Sequence, residues 1–238
     1  MGADGGGQLT PRRARAHAFV GDVETPRLAG TDHHHLARVL RLGPGSDVTV
    51  GDGSGRWRPG RLTEGQDVDP TGDVVADPRP DPPVTVAFAL IKGVRPELTV
   101  QKLTEVGVDR IVPFVAERSV VRWDAAKADR QLARLAGIAR EAAMQCRRTW
   151  LPRVEPVASF AEVAGRPGAT LADIDGEPPS LNRPTVLVGP EGGWSTGELA
   201  AGLPRTRFGV HVFRAETASI TAGALLVALR ENLMGNHR

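Results

Sequence analysis

Two apolar runs, each followed by a loop and then a helical pattern, lie between Val186 and Leu226 and constrain the fold more than any other feature. In the first, a strand over Thr185 to Val188 runs into Gly189-Pro190-Glu191-Gly192-Gly193. Directly after it, Ser195-x-x-Glu198 is a capping box, in which two side chains satisfy orphan backbone N–H groups of a starting helix. In the second, a strand is expected over Phe208 to Phe213, then a polar turn, then a helix from about Ser219 carrying Ile220, Ala224, Leu225, Ala228 and Leu229 at helical spacing. Two loops after two strands look like one site at the carboxyl ends of a parallel sheet, where open α/β folds bind ligands.

What these loops can hold is bounded by what they lack. Neither G-x-G-x-x-G nor G-x-x-x-x-G-K-[ST] occurs, so the two usual phosphate cradles are absent. Glycines let backbone approach a ligand closely, and main-chain N–H and C=O groups can read an adenine edge without a charged side chain. Taken alone, Gly189 to Gly193 fits a tight turn as well as it fits a binding loop.

The two segments together resemble the SPOUT methyltransferases, and most closely the bacterial small-subunit ribosomal RNA methyltransferase E family, which makes 3-methyluridine in 16S rRNA. The resemblance is carried by Gly189 to Gly193, Phe208-Gly209 and Val212 to Ala218. His35-Leu-x-Arg38-Val-Leu-Arg41, Lys92-Gly93, Gln101-Lys102-x-x-Glu105-x-Gly107 and Gln145-Cys146-x-Arg148 add to it, so that it spans roughly residues 15 to 235. It implies S-adenosyl-L-methionine as cofactor, held by Val188, Gly189, Glu191, Gly192, Gly193, Phe208, Gly209, Val212, Phe213, Thr217 and Ala218. It also implies an α/β SPOUT-type parallel sheet with a C-terminal trefoil knot, against the general rarity of knots. A small N-terminal PUA-like RNA-binding β-barrel, a homodimer built on the C-terminal helix, and 16S rRNA or the 30S ribosomal subunit as partner follow from the same resemblance. Two positions depart from the family: Met144 precedes Gln145 where Glu is common, and His211 stands where arginine is common.

The N-terminal region has its own texture. Residues 1–12 begin glycine-rich and are expected to form a disordered tail. Arg12, Arg13 and Arg15 then lead into a strand over Ala16 to Val20, an arm that suits a phosphate backbone or a solvated tail equally. Up to Ala76 the pattern is short strands (Asp47 to Gly51, Arg56 to Leu62, Asp73 to Ala76) with a helical His33 to Arg41 segment, which together suggest a small barrel over residues 13–77. In that helical segment Leu36, Val39 and Leu40 are expected to face the core, and Arg38 and Arg41 the solvent. His33-His34-His35 does not make a metal site, because consecutive side chains diverge on any regular backbone and no second ligand cluster is near in sequence.

The proline-dense stretch 78–83 marks a linker, and 84–238 reads as the methyltransferase domain. Val84 to Leu90 is a buried strand. Pro96 opens a helix that Gly107 closes, and Ile111 to Val115 is a second strand, which makes a βαβ unit and a parallel sheet. A long helix over Ala125 to Arg148 and a strand over Thr170 to Ile174 follow. Arg118, Arg122, Arg147, Arg148 and Arg153 flank the ends of the long helix and suit phosphate contacts better than a merely solvated face. The RNA-binding candidates are Arg13, Arg15, Arg38, Arg41, Lys92, Arg118, Gln145 and Arg148.

A net charge of +2 does not by itself prove nucleic-acid binding, and a single cysteine, Cys146, forms no internal disulfide. No apolar run reaches the roughly 18 to 20 residues of a membrane helix, and the N-terminus lacks a signal-peptide core, so the cytoplasm is the expected location. For chemistry, loss of the uracil N3 proton puts negative charge on O2 and O4. Arg214, placed by its motif beside the methyl position, is the candidate to stabilise that charge, and Glu216 the candidate to take the proton. Arg214 could instead hold a phosphate or a carboxylate, and Glu216 could serve only the helix dipole. Two other readings stay open: a methyltransferase acting on 23S rRNA or tRNA, and a non-catalytic RNA-binding factor.

Overall fold

The computed structural model describes residues 9–90, 96–121 and 123–234. Its contacts divide the chain into two compact units, 1–79 with 143–151, and 80–142 with 152–238.

The N-terminal unit is built on a five-stranded sheet. Strands β1 (His17–Phe19), β2 (Asp47–Gly51), β3 (Arg56–Leu62) and β4 (Val68–Pro70) lie in that order, and β5 (Val75–Ala76) pairs with β3. β1 and β2 are parallel and the other pairs antiparallel. Helix α1 (Gly30–His34) runs straight into a π-helical turn, His35–Val39, in which Leu40 N–H donates to His35 O at 3.1 Å. Widening the turn rotates its side chains. Leu36 remains in the core at 1% exposure, but Val39 and Leu40 are 62% and 45% exposed, against the sequence expectation. Residues 10–12, expected to belong to a disordered tail, are held in a turn: Arg13 and Ala14 N–H both donate to Thr10 O at 2.9 Å and Pro11 is buried.

Residues 143–151 grouping with this unit is not foreseen by the sequence. Thr149 Oγ1 donates to Asp77 Oδ2 at 2.6 Å, Trp150 Nε1 to Asp77 O at 3.2 Å, and Leu151 N–H to Gly53 O at 2.9 Å. Met144 packs against the same apolar cluster as Leu36 and Val48.

The second unit is a seven-stranded parallel sheet. Its strands are β6 (Thr85–Ala89), β7 (Arg110–Val115), β8 (Arg153–Val154), β9 (Ala158–Ser159), β10 (Ala169–Glu177), β11 (Thr185–Val188) and β12 (Arg205–Thr206). The order is β12-β10-β11-β6-β7-β8, with β9 also on β7. β6 and β11 are buried at every position, as expected of central parallel strands covered on both faces. The helices are α2 (Pro96–Val106), α3 (Ala125–Cys146), α4 (Phe160–Ala164), α5 (Thr196–Ala200) and α6 (Ala215–Arg230). α6 packs on α2, β6 and β11 through Ala222, Gly223, Leu226 and Val227, so most of its apolar stripe serves the core of its own chain. Arg230, with a side chain 6% exposed, ion-pairs with Asp109, whose carboxylate also accepts Val84 N–H at 2.8 Å. Among the described residues no helix is long and apolar enough to cross a membrane.

The final segment differs from its sequence reading in two ways. The edge strand ends at Thr206, and 207–214 is a loop with bends at 209–211 rather than a strand over Phe208 to Phe213. α6 starts at Ala215, four residues before Ser219, with Arg214 as its N-cap.

Candidate functional site

Two loops, 189–195 after β11 and 207–214 after β12, wall a cavity of about 340 Å³ at the carboxyl ends of β10 and β11. The first loop exists because Gly189 and Gly193 permit it. A Cβ on Gly189 would approach the Trp194 ring to 3.0 Å, and Gly193 has φ +71, with its N–H donating to Pro190 O at 2.9 Å. The capping box read from sequence closes it, since Glu198 N–H donates to Ser195 Oγ at 3.1 Å and Ser195 N–H to Glu198 Oε2 at 2.9 Å. Trp194 anchors the loop to β10 through Nε1 to Ala172 O at 3.2 Å and stacks on Phe114 at 6.4 Å. In the second loop a Cβ on Gly209 would lie 2.3 Å from Phe213 Cζ, so glycine is required there for the ring to fold back.

Of the sequence-predicted cofactor residues, Val188, Gly189, Glu191, Gly193, Phe208, Gly209, Val212, Phe213 and Ala218 line this cavity. Gly192 and Thr217 do not. The sequence reading missed the wall formed by Ala172, Asp173 and Ile174 of β10, and the contributions of Trp194, Leu199 and His211. Only the general rule that ligands sit at the ends of several adjacent strands pointed to β10. Arg214 and Glu216 flank Ala215 at the start of α6: Arg214 is exposed, and among the described residues its guanidinium has no hydrogen bond or ion pair. Glu216, half-buried in the first turn, suits the helix dipole.

The described basic candidates divide between the two units. Arg13, Arg15, Arg38 and Arg41 are exposed on the N-terminal unit, and exposed Gln145 and half-buried Arg148 belong to the 143–151 segment of the same unit. Arg147, expected to meet phosphate, instead donates to the carbonyls of Arg12 at 2.7 Å and Pro11 at 3.4 Å, which ties it to the entering chain. Arg118 donates to Gly192 O at 2.6 Å. Lys92 and Arg122 lie outside the described residues.

A family model described as an RNA methyltransferase domain matches residues 78–227, and one described as an RNA methyltransferase PUA domain matches 28–67. The ribosomal RNA small subunit methyltransferase E of Mycobacterium tuberculosis is 34% identical over 215 residues, covering 81% of this chain and 82% of that protein. The chain belongs to the ribosomal RNA small subunit methyltransferase E family. The Bacillus subtilis member is 27% identical over 244 residues, covering 91% of this chain and 95% of its own length. A crystal structure of the Neisseria gonorrhoeae member bound to S-adenosyl methionine matches with a TM-score of 0.72 at 28% identity, over 90% of this chain and 97% of that one. Family membership gives the two units their character, an α/β domain on a parallel sheet and a PUA domain.

Proposed function

We propose that this chain methylates N3 of a specific uridine in 16S rRNA, in the 30S subunit, with S-adenosyl-L-methionine as methyl donor. The observation that carries the reading is the cavity at the strand ends, lined by residues of the two loops that follow β11 and β12, in a member of this family. The residues fit the group. Glycines at 189, 193 and 209 leave space that a Cβ would fill or strain, and apolar Val188, Phe208 and Phe213 suit an adenine and thioether-like chain. Once bound, the cofactor supplies a methyl group activated by its sulfonium. Val188, Gly189, Glu191, Gly193, Phe208, Gly209, Val212, Phe213 and Ala218, which line the cavity, are the residues assigned to hold it.

The protein's own contribution is to orient the uracil and manage charge. Arg214, uncommitted at the N-cap of α6, faces the negative charge that develops on O2 and O4, an interaction stronger in the transition state than in the neutral ground state. Glu216 takes the N3 proton, which frees the nitrogen lone pair for the methyl group that the cofactor would supply. RNA is held by Arg13, Arg15, Arg38, Arg41, Lys92, Gln145 and Arg148, with the PUA-like unit, taken as a barrel over 13–77, joined by 78–83 to the catalytic domain 84–238. The return of the chain from edge strand β12 to pack α6 on β6 and β11 supports a threaded, SPOUT-type knot. Exposed Leu233 and Met234 beyond α6 support a homodimer seam, and the ribosomal substrate supports a cytoplasmic location.

The test is transfer of labelled methyl to undermethylated 30S subunits and, separately, to naked 16S rRNA, with mass spectrometry of the nucleosides. Recovery of 3-methyluridine is the expected result. Label in a different nucleoside, or only in 23S rRNA or tRNA offered alongside, overturns the assigned base or substrate.

A further inference from the structure

The turn that follows β7 grips the 189–195 loop from across the sheet. β7 and β11 are separated by β6, so this contact joins loops from non-adjacent strands. The turn itself is fixed: Ser119 N–H donates to Ala116 O at 3.0 Å, Ala116 N–H donates to Ser119 Oγ at 3.1 Å, and Ser119 is 7% exposed. From it, Glu117 N–H donates to Glu198 Oε1 at 2.9 Å, while the Glu117 carboxylate accepts the Ser195 hydroxyl. The Ser195 hydroxyl thereby donates to Glu117 while its oxygen accepts Glu198 N–H, and the Glu198 carboxylate, in a residue 4% exposed, accepts two backbone N–H groups. Next in sequence, Arg118 lies along Gly192, with its Cβ and Cδ each 3.7 Å from where a Gly192 Cβ would stand, and donates Nη1 to Gly192 O at 2.6 Å.

We propose that Glu117 and Arg118 are positioning residues that pre-form the cofactor loop, so that Arg118 governs S-adenosylmethionine affinity and is not an RNA contact. This rests on the cavity being the cofactor site. The loop is held at Trp194 by Ala172 and at Gly192 and Ser195 by Arg118 and Glu117, and Gly189, Pro190, Glu191 and Gly193 of the cavity wall belong to this same loop. A loop of glycines has much conformational freedom to lose, and whatever order is not built in beforehand is taken from binding energy. An arginine used this way needs a donor at the carbonyl. An arginine on a phosphate needs its charge.

That difference selects the variants. Cofactor affinity by calorimetry, affinity for a 16S rRNA fragment, and melting temperature are measured for wild type, Arg118→Ala, Arg118→Gln and Glu117→Ala. Arg118→Ala is expected to weaken cofactor binding about tenfold and RNA binding less than about twofold. Arg118→Gln, which loses the charge and keeps a donor, is expected to recover much of the cofactor affinity, and Glu117→Ala to weaken cofactor binding several-fold without touching RNA. If Arg118→Ala does not fold, the Gln and Glu117 variants decide. Unchanged cofactor affinity in all three, or RNA affinity lost equally in the Ala and Gln variants, overturns the proposal. Failure of the wild type itself to bind cofactor overturns the methyltransferase reading first, and is seen without any variant.

Discussion

His17 is the residue whose surroundings most change its chemistry. It is 1% exposed, its Nδ1 lies 2.9 Å from Thr49 Oγ1, and among the described residues Nε2 has no partner. Burial, helped by the Arg147 cation and opposed by Asp77, lowers its pKa from 6.5 to about 4. Because the folded state then binds the proton less readily than the unfolded chain, its contribution to stability is full above about pH 6.5 and is lost progressively as pH falls towards 4. The total is about 3 kcal/mol. Thermal melts between pH 7.5 and 4.5 should therefore show a fall in stability that His17→Leu flattens; an equally steep fall in the variant would assign the acid sensitivity elsewhere. Arg214 presents the opposite case, an exposed cation with no partner among the described residues. Arg214→Ala is expected to lower kcat about a hundredfold or more while the cofactor Kd stays put. Turnover at the wild-type rate would remove Arg214 from the chemistry. Sequence made Arg214 visible through its motif, whereas nothing in the string marks His17 as buried, because burial there depends on Thr49 and Gly51 of β2.

Among the elements, α6 couples packing to the site: its first turn supplies Ala215 and Ala218 to the cavity while its middle is wedged against α2. The close approach depends on Gly223, where a Cβ would come 2.7 Å from Val108 Cγ2 and 3.0 Å from Leu103 Cδ2, both in residues at 0% exposure. Gly223→Ala gains about 1 kcal/mol of helix propensity, but overpacking a dense core costs about 1–3 kcal/mol, and the stiff, buried valine leaves little room to yield. The packing cost wins, and the melting temperature should drop by about 2–4 °C; a rise would show that α6 can shift without penalty. Elements with strong periodicity were legible: the capping box at Ser195, the helix closed by Gly107 at φ +101, and the strands at 85–89 and 185–188. The segment 207–214 misled because, although Phe208 is core, its valines are not. Val210 and Val212 are 84% and 86% exposed, so apolar content there marks a site loop rather than a sheet. The π-helical turn misled for a different reason: one extra residue per turn carries Val39 and Leu40 off the face that a 3.6-residue period assigns them.

For the molecule as a whole, the formal charge of +2 spread over 238 residues carries little information, and the distribution of arginines carries more. The α/β class was legible from its βαβ pattern, and a separate N-terminal unit because a proline-dense stretch divides two textures. The return of 143–151 to the first unit was not, because its ties (Thr149 and Trp150 to Asp77, Leu151 to Gly53) link residues far apart in sequence. That unit presents Arg13, Arg15, Arg38 and Arg41 to solvent, with Val39 and Leu40 exposed between the latter two. Surface arginines bind a polyanion chiefly by releasing its counterions, so their signature is a salt slope rather than a single affinity. Each phosphate contact to single-stranded RNA contributes about 0.7 to the slope of log K against log salt, and replacing all four with Gln should reduce its magnitude by about 3. The cofactor cavity belongs to the other unit, so cofactor affinity in the same variant should equal that of wild type, which separates loss of RNA contact from misfolding. An unchanged slope would mean that the rRNA is held through other groups, and that the exposed arginines of the first unit only keep it solvated.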